Sequence, residues 1–285
     1  MQLLKIINTK GESILFGMHS PYLLSHIEGL GIPQADMYAT QAPSQDGSNI
    51  HDVLLADRII SAKFTILCED RENLYKERRR LMQILNPKSG PLKLLYTNDD
   101  KTYRAYGYVE GDVDFKERIK NHGVINVSFI CADPYWLDES DVVTELKYIK
   151  NNGFSFPAIF ATKFAQMSYK KKIVNKGDIE VGCKIEYIGE AINPIVTNET
   201  TGEFIKVNRT LEAGQKLIIN TSEGEETVDI VSADGTKTNV FNWIDLESTF
   251  FKLKVGENII SYSSDNETAQ DVAINVIYSN KYAGV

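Results

Sequence analysis

Arg58-Ile-Ile-Ser-Ala-Lys-Phe-Thr-Ile-Leu-Cys68 runs through Glu69 and Asp70 into Arg71-Glu-Asn-Leu-Tyr-Lys-Glu-Arg-Arg-Arg-Leu-Met-Gln-Ile-Leu85. The first segment has period two. Ile60, Ala62, Phe64, Ile66 and Cys68 alternate with Ile59, Ser61, Lys63, Thr65 and Leu67, which gives a strand one strongly apolar face. The second segment has helical spacing. Asp70 is placed to cap it, because its carboxylate can accept hydrogen bonds from N–H groups that lack partners in the first turn. Leu74, Leu81, Met82 and Leu85 share one face, while Lys76, Glu77, Arg79 and Arg80 point largely elsewhere. Asn86-Pro87-Lys88-Ser89-Gly90-Pro91 ends the helix, since proline disfavours helical geometry in the residue before it.

Working outward, Leu92–Tyr96, Tyr103–Glu110 and Val124–Cys131 read as strands, with Asn98-Asp99-Asp100-Lys101 as a hairpin turn. The last of them leaves through Asp133-Pro134-Tyr135-Trp136. Upstream, Leu3–Ile7, Ser13–Phe16 and Tyr22–Ile27 are strand-like. Residues 33–52 are poor in apolar side chains and rich in turn formers, and read as a long exposed loop or hairpin arm. Asp112–Gly123 reads as a polar hairpin. Residues 137–152 are polar and end near Asn151-Asn152-Gly153, a turn signal.

Beyond Gly153 helical periodicity disappears. Short strands recur at Ile179–Ile188, Phe204–Asn208, Gln215–Asn220, Glu226–Val231, Phe250–Val255, Asn258–Ser263 and Asp271–Ser279. Turns such as Ser222-Glu223-Gly224 and Ala233-Asp234-Gly235 separate them. The pattern favours a sandwich or jelly roll. The reading is a mostly-β chain with an α+β first domain over 1–136, one helix on a β-sandwich or split barrel, a linker over 137–152 and an antiparallel β domain over 153–285.

Composition narrows the function classes. A length of 285 residues suggests about two domains. The net charge of −8 is spread over both halves, against a dedicated nucleic-acid surface. Three widely spaced cysteines, Cys68, Cys131 and Cys183, make neither a disulfide framework nor a zinc ribbon; Cys68 and Cys131, at apolar strand ends, read as buried small hydrophobes. Met1–Asn8 is too short for a signal peptide and reads as a first strand. No apolar run approaches the roughly 20 residues of a membrane span.

Catalytic signatures are sparse. His19, His26, His51 and His122 form no metal motif, and neither a nucleophile elbow nor a phosphate loop is present, so no catalytic, metal or cofactor residue is assigned. Carboxylates such as Glu180 with Glu186, or Glu223 with Glu225 and Glu226, would need a cleft and a separation of about 5–9.5 Å to hydrolyse a glycoside; solvated faces and turns explain them as well. Trp136 reads as a packing anchor. Trp243, in Phe241-Asn242-Trp243-Ile244-Asp245, is open to two readings: ligand stacking on an exposed ring, or core and interface packing.

The Asn86-Pro87-Lys-x-Gly90 helix stop and the Asp133-Pro134-Tyr135 exit resemble the N-terminal half of the phage distal tail protein family. Further along, Gly189 with Asn193-Pro194-Ile195, Leu211-Glu-Ala-Gly214, Leu253-Lys-Val-Gly-Glu-Asn258 and the closing Tyr282-Ala-Gly284-Val285 resemble its C-terminal half. From pattern alone, any α+β domain with a helix on an antiparallel sheet fits the first half equally well; these turn and exit residues tip the balance. The resemblance implies a galectin-like β-sandwich for the second domain. It implies a structural hub of the virion tail tip, a hexameric ring joining the tail tube and tape measure to tail-tip, receptor-binding and baseplate proteins. The residue 33–52 arm would then help stitch neighbouring subunits. No cofactor, sequence-specific nucleic acid or membrane insertion is implied. The alternative is a carbohydrate-binding tail accessory that contacts host cell-wall glycans.

Overall fold

The computed structural model describes residues 2–119, 122–146, 169–265 and 272–285. The described residues are mostly strand, with one α-helix among them, and fall into two compact units. The first unit takes the chain up to Glu139 together with Tyr282–Val285, and the second takes Ser140–Lys281. The expected second domain therefore differs at its end, because the last four residues cluster with the first unit.

The first unit contains β1 (Leu3–Ile7), β2 (Ser13–Phe16), β3 (Tyr22–Glu28), β4 (Ala35–Thr40), β5 (Asn49–Leu55), β6 (Arg58–Leu67), α1 (Arg71–Ile84), β7 (Leu92–Thr97), β8 (Thr102–Ile119), β9 (His122–Cys131) and β10 (Trp136–Asp138). The main sheet runs β2-β1-β7-β8-β9-β6-β3. Its two ends meet at Gly17, which bridges Leu23, so the sheet curls into a split barrel. Helix α1 lies across the seam. Tyr22 donates from its hydroxyl to Glu77 at 2.7 Å, and Arg80 reaches the Ser13 carbonyl at 3.3 Å.

Strand β6 is buried on alternate residues from Arg58 to Ile66, as its periodicity requires. Phe64 packs against Phe16 with ring centres 4.3 Å apart and planes tilted by 45°, and Leu4, Ile6, Ile60, Leu81, Phe129 and Trp136 are fully enclosed. Each such side chain contributes about 1.5–3 kcal/mol through burial. The cap on α1 is as expected, with Asp70 accepting from the Asn73 amide at 2.7 Å. One departure is Arg78, which is buried among the apolar residues of the helix and lies 4.3 Å above the Phe115 ring. Its aliphatic stem and ring contact let a cation occupy a core position.

The stretch expected as a linker is strand over much of its described length. Trp136–Asp138 pairs with β8, and β11 (Val142–Leu146) belongs to the second unit. Residues 147–152 of that expected linker lie outside the described residues. Of the polar hairpin expected at 112–123, residues 112–119 and 122–123 belong to the far end of the β8–β9 ladder, and residues 120 and 121 lie outside the described residues.

The second unit adds β12 (Tyr169–Asn175), β13 (Lys184–Ile188), β14 (Ala191–Ile192), β15 (Ile195–Asn198), β16 (Glu203–Lys206), β17 (Thr210–Leu211), β18 (Lys216–Asn220), β19 (Thr227–Val231), β20 (Lys237–Asn239), β21 (Gly256–Ser263) and β22 (Ala273–Tyr278). Two antiparallel sheets, β11-β22-β13-β18-β19-β20 and β12-β21-β15-β16, form a sandwich. Tyr187 of one sheet and Tyr262 of the other are 5.1 Å apart at their ring centres.

Two strand expectations need correction. Phe250–Val255 makes a single bridge, Leu253 to Val181, rather than a ladder, because Asn258 bonds back to Lys254 and Gly256 and turns the chain first. The strand expected from Ile179 starts only at Lys184, beyond Gly182, whose backbone is pressed against Thr221 and Ser222. Strand β12 went unread, since lysines at 170, 171 and 172 hide its alternation. Two of them pair across the sheet, Lys170 with Glu199 and Lys172 with Glu257.

Candidate assembly site: an exposed arm and its buried root

Strands β4 and β5 form a separate two-stranded hairpin that is solvent-exposed from Ala35 to Leu54. Directly opposed residues in an antiparallel pair share a face. The pairs Ala35–Leu55, Met37–Val53 and Ala39–Ile50 line one side, and Asp36–Leu54, Tyr38–Asp52 and Thr40–Asn49 line the other. Ile50 and Val53 would fall on opposite faces of a regular strand. A register shift that leaves His51 as the extra residue brings them together. His51 bonds Thr40 across the hairpin at 2.6 Å. The result is an amphipathic arm with a wholly apolar side in solvent: Met37 is 63% exposed, Ile50 57% and Val53 49%. The sequence had placed an arm at 33–52; its apolar side was hidden because the bulge breaks the two-residue period.

The root of the arm is built around Arg58, which is 1% exposed. Its Nη1 donates to the carbonyls of Gly29 and Gly31, both at 2.6 Å. Nε donates to Pro134 at 2.7 Å and Nη2 to Ala283 at 2.6 Å. The guanidinium also lies 5.5 Å from the Trp136 ring centre. Burial pulls the Arg58 pKa down from its ordinary value, opposed by the nearby Cys131 and Asp133. Four carbonyl oxygens replace the water that the cation gave up. Gly29, at φ +85°, is required there: a Cβ would fall 2.0 Å from the Ile59 carbonyl oxygen.

The sequence-predicted motif residues divide between two places. Pro134 and the Tyr282–Val285 segment converge at this root. Val285 donates its amide to the Leu30 carbonyl at 2.9 Å, and Gly284 packs on the Leu30–Gly31 backbone. Asp133 accepts from the Tyr135 amide at 3.1 Å and shapes the exit turn. Tyr282 donates to Asp138 at 3.1 Å and accepts from Lys101 at 2.7 Å, while Lys101 also pairs with Asp138. Burial lowers the Lys101 pKa, but the bonds to Asp138 and Tyr282 outweigh it and hold the ammonium above its ordinary value. Burial raises the Tyr282 phenol.

Asn86, Pro87 and Gly90 form a separate corner after α1. Asn86 caps a single 3-10 turn, Pro87–Ser89, by accepting from the Lys88 amide, and Gly90 sits at φ +99°. Arg58, Leu30 and Lys101 were not singled out from sequence. The available signal was phase, since Arg58 shares the parity of Ile60, Ala62 and Phe64.

Trp243 lies in a 3-10 turn, Phe241–Trp243, packed against the core of the second unit with the Arg209 guanidinium 5.7 Å from its ring centre. Three of the paired carboxylates, Glu180, Glu186 and Glu223, meet lysines. Glu186 meets Lys184 at 2.7 Å and Lys216 at 2.6 Å, and Glu223 meets Lys252 at 2.7 Å. Burial raises the Glu186 pKa, but these bonds win and lower it, opposite to the shift a general acid needs. No cluster of three or more His, Cys, Asp or Glu suited to a metal occurs among the described residues. No helix of the described residues is long and apolar enough to cross a membrane.

A split barrel followed by a β-sandwich, with an exposed apolar arm, is the fold here of a phage tail component, a class shown by two family matches. Residues 9–131 match the phage tail protein RIFT-related domain, and residues 176–282 match the C-terminal domain of siphovirus-type tail components. The two matches span most of the chain, which belongs to the siphophage distal tail protein family and has its place in the virion tail. The fold is similar to that of the Dit (gp 19.1) protein of phage SPP1, described as a paradigm of hub adsorption apparatus in phages infecting Gram-positive hosts. That match has a TM-score of 0.68 at 13% identity and covers 98% of each chain. It is also similar to a chain of the phage P2 baseplate in its activated conformation with calcium, with a TM-score of 0.56 at 13% identity over 100% of each chain. A strontium form of that baseplate gives 0.54 at 13% identity, over 97% of this chain and 98% of that one. No curated relative matches the chain by sequence.

Proposed function

We propose that this chain forms the ring-shaped hub of a siphophage tail tip, six copies closing around the tail channel through head-to-tail contacts. The apolar side of the arm carries the reading. Met37, Ile50 and Val53, exposed along the apolar side of a hairpin that cannot bury them itself, call for a neighbour. In a head-to-tail interface the arm of one copy meets a different surface on the next, and a closing rotation gives a ring rather than a filament. The first unit thus supplies the ring, and the second offers a surface to receptor-binding and baseplate proteins. The tail tube, tape measure and tail-tip protein are the partners along the axis. The function is geometric and includes no chemical step.

Light scattering of the full chain, with negative-stain images, tests this. Six-fold rings or a discrete mass near six copies are expected. A strict monomer at all concentrations, with no assembly when the tail-tip protein is added, would overturn it.

A further inference from the structure

We infer that the Ala283–Val285 segment is the positioning element of the arm, so that residues far along the chain set how the arm is presented to a second copy. The inference rests on the arm's role in assembly proposed above. Both sides of the arm's root lie in one hydrogen-bonded cluster. On the leading side, Gly29, Leu30 and Gly31 precede β4; on the trailing side, Ala56 and Arg58 follow β5. Arg58 ties the trailing side to Gly29 and Gly31, and Ala56 donates its amide to Gln34 at 2.9 Å to close the base.

The late segment locks this cluster from outside. Ala283 takes the Nη2 donor of Arg58, and Val285 takes the Leu30 carbonyl. Between them Gly284 lies so close that a Cβ would sit 3.3 Å from the Leu30 oxygen and 3.4 Å from Gly31. The hairpin is exposed along its length, so its direction is determined at its root rather than by packing. Without the segment, Arg58 keeps its bonds to Gly29 and Gly31, but Leu30 loses its donor and the guanidinium loses an acceptor. The root then gains freedom to pivot, and each copy presents its arm over a spread of directions. Ordering that spread on assembly costs affinity.

The test uses the full chain and three changes: deletion of Ala283–Val285, Gly284→Val, which displaces the segment without altering charge, and Gly284→Ala as the conservative control. Amide hydrogen exchange is read at Ala56, across residues 35–55, and in the β1–β7 ladder, alongside native mass. The deletion and Gly284→Val should raise exchange at Ala56, whose bond to Gln34 closes the root, by about tenfold, while the internal β4–β5 bonds of the pivoting arm and the β1–β7 ladder stay near parent protection. Gly284→Ala should lie much closer to the parent. Unchanged exchange at Ala56, or a rise shared equally by the β1–β7 ladder, would overturn the inference, the second by showing a merely global role. Exchange is read within each molecule, so it decides the matter even if the parent proves monomeric. In that event the ring proposal fails separately.

Discussion

Arg58 and Ala283 stand 225 residues apart in sequence and are joined by a 2.6 Å hydrogen bond at the foot of the arm. The first unit is therefore discontinuous, completed by a short segment that arrives after the whole second unit. Arg58→Met would leave the part-buried carbonyls of Gly29, Gly31, Pro134 and Ala283 without this donor around a side chain that is 1% exposed. Each unpaired buried group costs about 1–3 kcal/mol, and partial relaxation should leave a net loss of at least about 3 kcal/mol. Urea unfolding followed by Trp136 fluorescence in a Trp243→Phe background measures it. A loss under about 1 kcal/mol would show that water reaches the site.

Gly29→Ala addresses the same corner through the backbone. The added methyl meets the Ile59 carbonyl at 2.0 Å, at a positive φ that alanine resists. A loss of at least about 2 kcal/mol is expected, read as a lower midpoint at unchanged m. Gly11, also at positive φ but with open space around it, should tolerate alanine better.

The arm predicts a separation of stability from assembly. Met37→Asp combined with Val53→Asp charges the apolar side at exposed positions, so the thermal midpoint should move by no more than a few degrees. Native mass should fall to the monomer. Leu54→Asp, on the opposite side of the hairpin, should weaken assembly less. Equal effects from both changes would show that the arm does not dock by one face.

Titration acts on the two units from opposite ends of the pH scale. Lys101 and Tyr282 have raised values in the folded chain, so their contribution is whole below the ordinary lysine and tyrosine range and is lost as pH rises through the folded values. Lys101→Met should flatten the alkaline fall in stability of the first unit. Glu186 has a lowered value, so its contribution is whole above the ordinary carboxylate range and fades as pH drops. Glu186→Gln should reduce the acid sensitivity of the second unit. Chemical denaturation across pH checks both directions.

The thiols offer a probe of opening. Burial pushes Cys183 up to about 12 and Cys131 up to about 11, so neither supplies much thiolate near neutral pH. Both should react with a disulfide reagent only as fast as their unit opens. Cys68 is half-buried, and although burial raises its thiol, it should be modified first. A fast Cys183 reaction in native protein would contradict the packing of the second core.

Much of this architecture can be read locally. Strand β6 and helix α1 follow from period two and period 3.6 in adjacent segments, and Asp70 marks the boundary between them. Where sequence reading failed, the stabilising partner was distant. Strand β12 is lysine-rich, yet it is a strand because it ladders to the distant β21 along its whole length and buries Ile173, with Glu199 and Glu257 pairing its lysines at the surface. Arg58 carries the inward parity of its strand, but its inward place makes sense only once Pro134 and Ala283 surround it. Those acceptors are backbone carbonyls, which any residue possesses, so side-chain identity holds no trace of the pairing. The motif residues Pro134, Gly284 and Val285 were noticed for their order in the chain, whereas the structure gives them a shared location.

The discontinuity of the first unit also describes a host and a guest. Residues 140–281 form an insertion whose removal would leave in place every group that bonds Arg58. A different sandwich spliced between Glu139 and Tyr282 would keep the arm's root intact, provided it returned the chain to the same point. Surface novelty can then be acquired wholesale, by exchanging the guest, while the arm and its root are inherited unchanged.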